Sequence, residues 1–268
     1  MGTKEFLLEA ENYKMIYDLH THTVYSHGKG EIEDNILTAI SKGLETVAIA
    51  DHGPGHLNYG IKRQDIGRMR AEVDNLAGIH QREINVLLGV EANIISTGKG
   101  IGPGAGTGNG SGAGNGIDLS PEEMKAFDFI IAGYHYGVKD GYCVKNWVEH
   151  HLPSGPLSKK MRLLNTEMTV NALYQNDIKI LSHPGDKGQF DILAIAKACQ
   201  ETDTLMEINT WHKHLSVADL KLLKNTENKF IISSDAHKPE RVGDFESGLA
   251  RALEAGIDPE RIVNIVKR

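Results

Sequence analysis

The chain has 268 residues, of which 40% are hydrophobic and 24% charged, and its formal net charge is −7. This length suits one large barrel or two small domains, and the composition is that of a globular protein able to bury a sizeable core. The acidic balance argues against a general nucleic-acid-binding surface, and no run approaches the roughly 18 apolar residues of a membrane span.

The cysteines and the N-terminus indicate a compartment. Cys143 and Cys199 form neither a metal-binding nor a redox motif, so we expect a reduced, cytoplasmic setting. The N-terminus lacks a basic region followed by a long apolar run, so no signal peptide is expected. The chain also contains 13 histidines, and their positions carry most of the functional prediction.

The first predicted strand begins at residues 15–17 and leads into the sequence Asp-Leu-His-Thr-His-Thr at 18–23. Side chains at i and i+2 of a strand point to the same face, so His20 and His22 could aim two imidazoles at one metal ion. Two exposed histidines at a strand end would give the same pattern. The metal interpretation is favoured only because similar strand ends recur along the chain.

Helices and strands alternate through the rest of the chain. Further strands are predicted over about residues 46–50, 85–90, 127–133, 178–181, 204–208 and 229–233. Helices are predicted over about residues 33–42, 64–80, 158–174, 192–200, 217–223, 245–255 and 259–266, with another starting at the Ser-Pro-Glu-Glu sequence of 120–123. A polar loop with Lys139, Lys145, His150 and His151 is predicted after the fourth strand. This α/β alternation predicts a parallel sheet, and we favour a closed or nearly closed barrel over an open sheet.

Every second residue between Gly98 and Gly116 is glycine. The segment has no apolar face and a high entropic cost of ordering, which favours a loop insertion in a single domain spanning residues 1–268. A phosphate-cradling loop is the alternative, but the strand-loop-helix context and the Lys-Ser/Thr ending are missing. Such strict alternation also leaves open that the loop is an engineered replacement.

Side chains that bind metals stand at or just beyond the ends of six of the seven predicted strands. They are His20, His22, His27, His52, Glu91, His135, His183, Asp235 and His237. In a barrel all nine would reach the mouth at the carboxyl ends of the strands. Histidine with a few carboxylates suits zinc, manganese or iron. Nine ligands exceed one tetrahedral ion, so we expect two or three divalent ions, with zinc as first choice and Glu91 as a bridge.

The motifs around these residues resemble those of the polymerase and histidinol phosphatase (PHP) family. The matching runs are His-Thr-His-Thr at 20–23, Asp-His-Gly at 51–53, Gly-Val-Glu at 89–91, the isolated His135 and His183, and Ser-Asp-Ala-His at 234–237. The match covers almost the whole chain in the right order. The Asp-His-Gly-Pro run at 51–54 is similar to the YcdX-like branch of free-standing bacterial phosphatases.

The resemblance implies a distorted (β/α)7 TIM-like barrel with a trinuclear metal site at the carboxyl ends of its strands. By position, the first ion would be held by His20, His22, Glu91 and Asp235. The second would be held by Glu91, His135 and His183, and the third by His27, His52 and His237. Many family members have Asp where this chain has His27, and the glycine insertion has no counterpart in the family pattern.

Ligands and resemblance together predict a metal-dependent phosphoesterase. A metal-bound hydroxide would attack a small phosphomonoester, with Glu91, Asp235 and His237 as catalytic residues. A histidinol-phosphate phosphatase, and a phosphodiesterase or exonuclease, remain alternatives with the same ligands. The acidic balance argues against a stable nucleic-acid complex. A catalytically silent metal-binding domain would have lost ligands, and none is missing. The native substrate, the native metal, the general acid and the oligomeric state stay open.

Residues in the loops around the mouth are candidates for substrate contacts. They are His56, His212 and His214 after the second and sixth strands, and the cations Lys62, Arg63, Lys139, Lys145 and Arg241, with Arg241 foremost.

Other polar residues receive structural interpretations. Asp51 precedes a ligand and could orient it. Ser182 and Ser234 are interpreted as turn or cap residues. Three histidines, His80, His150 and His151, are expected to face solvent.

Overall fold

Seven parallel strands form a nearly closed barrel, in a computed structural model that describes residues 3–96, 114–152 and 155–268. The described residues contain nine strands, of which β2 to β8 form the barrel. They are β1 (Tyr13–Met15), β2 (Tyr17–Thr21), β3 (Thr46–Ile49), β4 (Asn85–Asn93), β5 (Phe129–Gly133), β6 (Ile178–Leu181), β7 (Leu205–Asn209), β8 (Phe230–Ser233) and β9 (Ile265–Lys267). Strands β2 to β8 pair in chain order, each parallel to the next. A bridge between Thr21 and Ala236 brings β2 beside the end of β8.

Helices alternate with these strands, as βαβ connections require. They are α1 (Thr3–Ala10), α2 (Ile32–Ser41), α3 (Ile66–His80), α4 (Pro121–Met124), α5 (Cys143–His151), α6 (Gly155–Gln175), α7 (Ile192–Glu201), α8 (Val217–Leu223) and α9 (Glu246–Ala255). The predicted start at Ser120 is confirmed, because its side chain caps α4 and Glu123 completes the capping box. Among the described residues, no helix has the length and apolarity needed to cross a membrane.

The two-residue period of the strands builds the barrel interior in layers. An apolar layer, which we call the interior cluster, comes from nearly every strand. It consists of Leu19, Ala48, Ala50, Ile131, Ile180, Leu205 and Ile231. In β3, β5 and β8, side chains two or four residues further along reach the mouth, so Ile231 is followed by Asp235. An extra residue in β2 breaks its register with β3.

The structure corrects the predicted elements at both ends of the chain. An unpredicted helix, α1, packs on α9. The predicted last helix at 259–266 is wrong, because a 3-10 turn over Pro259–Arg261 is followed by β9. Strand β9 pairs antiparallel with β1. Local pattern could not reveal this pairing, since the partner lies at the opposite end of the chain.

Two predictions in the middle of the chain also change. Strand β4 does not end at Glu91 but continues to Asn93. The predicted polar loop with Lys139, Lys145, His150 and His151 includes α5. Its exposed Val144 and Trp147 are three residues apart, which is the spacing of one helix face. Neither change moves a predicted ligand away from the mouth.

Most of the glycine-rich segment, residues 97–113, lies outside the described residues. The chain on either side of it is held by hydrogen bonds. Ile94 and Ile117 form an antiparallel bridge, and the Ile95 amide donates to the Gly116 carbonyl at 2.9 Å. Asn115 donates to Asn176 Oδ1 at 2.7 Å. The segment therefore leaves and rejoins the fold at one place.

Candidate metal centre at the barrel mouth

The predicted ligands gather at the carboxyl-terminal mouth of the barrel. Four triplets of side chains there bring their ligand atoms within 4.8 Å of one another. They are His22 with His52 and His237, His20 with His22 and Glu91, His52 with Glu91 and His135, and His183 with His212 and Asp235. Eight of the nine predicted ligands belong to these triplets. The ninth, His27, lies beside them, its ring centroid 4.2 Å from that of His237.

Glu91 lies at the centre of the group and is fully buried. Its Oε2 atom is 2.8 Å from His52 Nδ1 and 3.3 Å from His20 Nε2. Its Oε1 atom is 2.9 Å from His183 Nε2 and 3.2 Å from His135 Nε2. The two oxygens face different pairs of histidines, which is the arrangement needed for a carboxylate between two ions.

Asp235 provides a second carboxylate at the mouth. Its Oδ1 atom is 3.0 Å from His22 Nε2 and 3.8 Å from His20 Nε2. Its Oδ2 atom accepts a hydrogen bond of 2.9 Å from Asn209 Nδ2. The first predicted ligand group, formed by β2, β4 and the end of β8, is thus brought together.

The donor atoms fit divalent transition ions. Many of them are buried without a hydrogen-bond partner, namely His20 Nε2, His22 Nδ1 and Nε2, His27 Nδ1, His52 Nδ1, Glu91 Oε2, His135 Nε2 and Asp235 Oδ1. Such unpaired buried groups are costly unless an ion satisfies them. Two ligands of a tetrahedral zinc, each about 2.1 Å from the metal, stand about 3.4 Å apart. The 3.2 and 3.3 Å separations from His135 and His20 to Glu91 are close to that value.

Burial and the carboxylates set the charge of the site in opposite directions. Burial lowers the pKa of His27 and of His135 to about 3, so both rings are neutral and offer a lone pair to a metal. Burial also lowers the pKa of His183, but its hydrogen bond to Glu91 and that carboxylate's charge outweigh burial and raise the pKa to about 9. An ion entering beside Glu91 must therefore displace protons.

A buried carboxylate that the sequence analysis missed, Glu207 of β7, supports two of these histidines. Its Oε1 lies 2.7 Å from His20 Nδ1, and its Oε2 accepts a hydrogen bond of 2.8 Å from the His183 amide. A carboxylate behind a histidine fixes the ring and leaves the other nitrogen for the ion. The sequence could have revealed Glu207, because Glu207 and Asn209 are polar residues at inward-facing positions of an otherwise apolar strand.

Ser182 also has a role that its interpretation as a turn residue did not include. Its hydroxyl donates to Glu91 Oε1 at 2.7 Å in the barrel interior. Beneath this contact lies Gly133, where an added Cβ would fall 2.2 Å from Ser182 Oγ and 2.9 Å from Glu91 Oε1. Only glycine leaves room for the two side chains there.

His135 is held from behind by a buried relay. Its Nδ1 lies 2.8 Å from Asn93 Oδ1, and Asn93 Nδ2 donates to Asp118 Oδ2 at 2.6 Å. Asp118 also accepts hydrogen bonds from the amides of Asn93 and Gly55, at 2.7 and 2.6 Å. Asp118 follows the glycine-rich segment, so the chain returns from that segment to support the mouth. The sequence analysis assigned neither Asn93 nor Asp118.

Asp51, which could orient the following His52 or have a purely structural role, makes its hydrogen bonds to the loop after β2. Asp51 Oδ2 accepts a hydrogen bond from Thr23 Oγ1 at 2.6 Å, and Oδ1 accepts one from the Thr23 amide at 2.8 Å. Ser26 also donates to this carboxylate. These bonds fold the loop that carries His27 back toward the strand that ends before His52.

Backbone conformation also singles out two residues at the mouth. His183 has a φ of +25° and Asp235 a φ of +50°, in the left-handed region that residues other than glycine rarely adopt. Such conformations cluster at functional sites, where the surrounding structure over-determines them. No sequence pattern marked either residue as unusual in this respect.

The predicted substrate contacts are distributed unevenly around the mouth. His56 lies with its ring centroid 5.7 Å from that of His52. Arg241 stacks its guanidinium 4.7 Å from the Trp211 ring centroid, and Trp211 stacks on His237. Arg63 is turned elsewhere, donating to Glu123 and to the Asp118 carbonyl at 3.0 Å.

Two histidines in the loop after β7 share one carboxylate. His212 Nδ1 lies 3.1 Å from Asp186 Oδ2, and His214 Nδ1 lies 3.6 Å from Asp186 Oδ1. Only His212 belongs to one of the metal-competent triplets. The roles of both in substrate binding stay predictions.

The remaining polar candidates lie at the periphery. Lys62, Lys139 and Lys145 are exposed. His151 is exposed as predicted, whereas the prediction for His80 is wrong, because that ring is buried and its Nδ1 lies 3.3 Å from Glu83 Oε2.

Comparison with known proteins gives consistent sequence matches. A sequence model of the PHP domain matches residues 18–216. A protein of Shewanella sediminis named "Probable phosphatase" is 27% identical over 266 residues, which cover 94% of this chain and 90% of the relative. The "Probable phosphatase YcdX" of Escherichia coli is 27% identical over 261 residues, covering 94% of this chain and 90% of that protein.

Two solved structures share the fold. The histidinol phosphate phosphatase of Lactococcus lactis, crystallised with zinc, L-histidinol and phosphate, superposes with a TM-score of 0.59 at 17% identity. The alignment covers 91% of this chain and 95% of that one. The hisK protein of Listeria monocytogenes gives a TM-score of 0.58 at 12% identity, covering 85% of this chain and 97% of that one. At these low identities, both similarities show a shared fold and nothing more.

Proposed function

The chain belongs to the PHP domain family, and on that premise we propose that it is a metal-dependent phosphatase acting on a small phosphomonoester. The observation that carries the proposal is the position of Glu91, fully buried and within 3.3 Å of a nitrogen of four different histidines. The names of the relatives that align along 94% of this chain support the same reaction class.

We assign the metal ligands by joining the geometry to the family pattern. Glu91 would be shared by two ions. The first ion would be held by His20, His22, Glu91 and Asp235, the second by Glu91, His135 and His183, and the third by His27, His52 and His237. Zinc is our first choice, because imidazole-rich sites with few carboxylates suit it, and manganese and iron are alternatives.

Divalent ions bound here would activate water as the nucleophile at neutral pH and would neutralise charge on the phosphate oxygens. The protein's own contribution is to hold the ligands rigidly in a buried site. Glu207 and Asn93 fix the rings of His20 and His135, and Ser182 fixes the Glu91 carboxylate. Arg241, half-buried beside Trp211, is the cation we propose for contact with the substrate's phosphate or its tail.

The test is a panel of phosphomonoesters and phosphodiesters assayed with the metal-stripped protein and with zinc, manganese or iron added back. We expect hydrolysis of monoesters that requires added metal and disappears with chelator. Preferential hydrolysis of diesters would move the assignment to a phosphodiesterase. Absence of hydrolysis by the fully loaded protein across the panel would favour a silent metal-binding domain.

Histidinol phosphate belongs in that panel because the Lactococcus lactis structure of the same fold contains L-histidinol and phosphate. A kcat/KM for histidinol phosphate at least about 100-fold above that for simple alkyl phosphates would identify the narrower activity, since it corresponds to about 2.7 kcal/mol of selective transition-state binding. Similar values across the panel would support a phosphatase of broader specificity.

A further inference from the structure

The loop after β7 carries a histidine that the family pattern does not assign to metal. Asn209, the last residue of β7, accepts hydrogen bonds through Oδ1 from the amides of Trp211 and His212, at 2.9 and 2.8 Å. Its Nδ2 atom donates to Asp235 Oδ2 at 2.9 Å. One side chain therefore fixes the start of the loop relative to a predicted metal ligand, and the His212 ring is directed to the mouth.

The distances around His212 match those of a shared ion. His212 Nε2 lies 3.5 Å from Asp235 Oδ2, and its ring centroid lies 4.8 Å from that of His183. At 3.5 Å the contact with Asp235 is too long for a good hydrogen bond. It is close to the separation of about 3.4 Å between two ligands of one tetrahedral ion. The three side chains also form one of the triplets whose ligand atoms lie within 4.8 Å of one another.

A carboxylate stands behind this histidine, as it does behind His20. His212 Nδ1 faces Asp186 Oδ2 at 3.1 Å, which leaves Nε2 directed at Asp235. Asp186 is itself fixed, since Lys187 Nζ lies 2.5 Å from its Oδ2 and its amide donates to the His183 carbonyl at 3.2 Å. Histidines that bind metals almost always have such a partner on the second nitrogen.

From these observations we propose that His212 is an additional metal ligand, which would join His183 and Asp235 at the second of the three sites. The inference rests on the proposed metal-dependent function, and it extends the ligand set beyond the nine residues of the family pattern. Asp235 would then be shared by the first and second ions, since its Oδ1 faces His22 and its Oδ2 faces His212.

His214 offers a matched control in the same loop. It faces the same carboxylate, at 3.6 Å from Asp186 Oδ1, and has a similar exposure of 29% against 21% for His212. Its Nδ1 lies 2.9 Å from the His212 carbonyl, and it belongs to none of the metal-competent triplets among the described residues. Both variants therefore lose a histidine that faces Asp186 from the same loop, and only His212→Gln removes the proposed ligand.

The experiment measures zinc stoichiometry and affinity by elemental analysis and chelator competition for the full-length wild type, His212→Gln and His214→Gln. Cobalt replaces zinc in a parallel series, where its visible spectrum reports loss of a nitrogen ligand. We expect His212→Gln to bind one ion at least about 100-fold more weakly, a larger effect than the 10- to 100-fold loss that outer partners cause. His214→Gln should match the wild type.

Two further results make the outcome unambiguous. Asp186→Asn should weaken the same ion by about 10- to 100-fold, because it removes the charge behind His212. Unchanged zinc affinity and cobalt spectrum in His212→Gln, with a multinuclear wild type, would overturn this inference and leave the proposed function intact. A wild type that shows no metal-dependent hydrolysis of phosphoesters would instead overturn the proposed function itself.

Discussion

The interior cluster and the barrel mouth lie only a few residues apart along the same strands, but the first buries apolar side chains and the second buries polar ones. In β8, Ile231 is completely buried among apolar neighbours, while Asp235 is nearly as buried among unpaired imidazole nitrogens. The first arrangement stabilises the fold, since burial of apolar surface contributes about 25 cal/mol per Å². The second has unsatisfied buried polar groups and positive φ angles at His183 and Asp235, both of which cost stability. Stability and activity should therefore respond separately to mutation.

The largest separation is expected for Glu91→Gln. The change keeps the shape but removes the charge that faces four histidines, so we expect kcat to fall at least about 1000-fold, or about 4 kcal/mol on the barrier. The barrel should still fold, because the interior cluster is untouched. Steady-state kinetics with circular dichroism checks both halves of the prediction. Near-normal turnover would show that Glu91 does not hold metal.

Ile231→Ala should have the reverse effect. Loss of this fully buried side chain should lower the free energy of unfolding by about 2–5 kcal/mol, through lost apolar contact and a residual cavity. Turnover per folded molecule should stay within about fivefold of wild type, or about 1 kcal/mol. Urea unfolding and active-site-normalised kinetics measure the two quantities. A loss of turnover as large as that of Glu91→Gln would contradict the division between the two layers.

Asn93→Ala tests how far the functional layer extends behind the ligands. Its side chain connects His135 to Asp118, so its removal should weaken zinc binding by about 10- to 100-fold. Chelator competition measures the change. The exposed Asn58 provides a control substitution, for which wild-type affinity is expected. Unchanged affinity in Asn93→Ala would limit the functional layer to the ligands themselves.

The smallest effect is expected from shortening the glycine-rich segment. Ile95 and Gly116 are already hydrogen bonded, so a short polar turn can replace residues 97–113 while the flanking chain keeps its pairing. We expect kcat on a small chromogenic phosphate within about threefold of wild type, below roughly 1 kcal/mol, because closing a loop depends only weakly on its length. A hundredfold loss at unchanged metal content would make the segment part of the catalytic machinery.

The barrel and its mouth could be predicted from the sequence because both depend on local pattern. Apolar runs of strand length predicted the seven strands. The polar residues at the strand ends, among them His52, His183 and Asp235, were predicted to lie at one edge of the barrel. The parity of β8 alone relates Ile231 to Asp235. These features are properties of single strands, so they can be read without knowing what each strand packs against.

The support behind the ligands could not be read in the same way. Glu207, Asn93 and Asp118 matter because of partners that are distant in sequence, such as His20 for Glu207. The pairing of β1 with β9 was missed for the same reason. Contacts of this kind depend on tertiary structure, which local periodicity does not encode.

The most direct test of a multinuclear centre at the mouth is the metal content of the purified protein, measured by elemental analysis before and after reconstitution with zinc. Converging ligands around Glu91 and Asp235 predict more than one transition-metal equivalent per chain, all removable by chelator. At most one equivalent, even after reconstitution, would contradict the account.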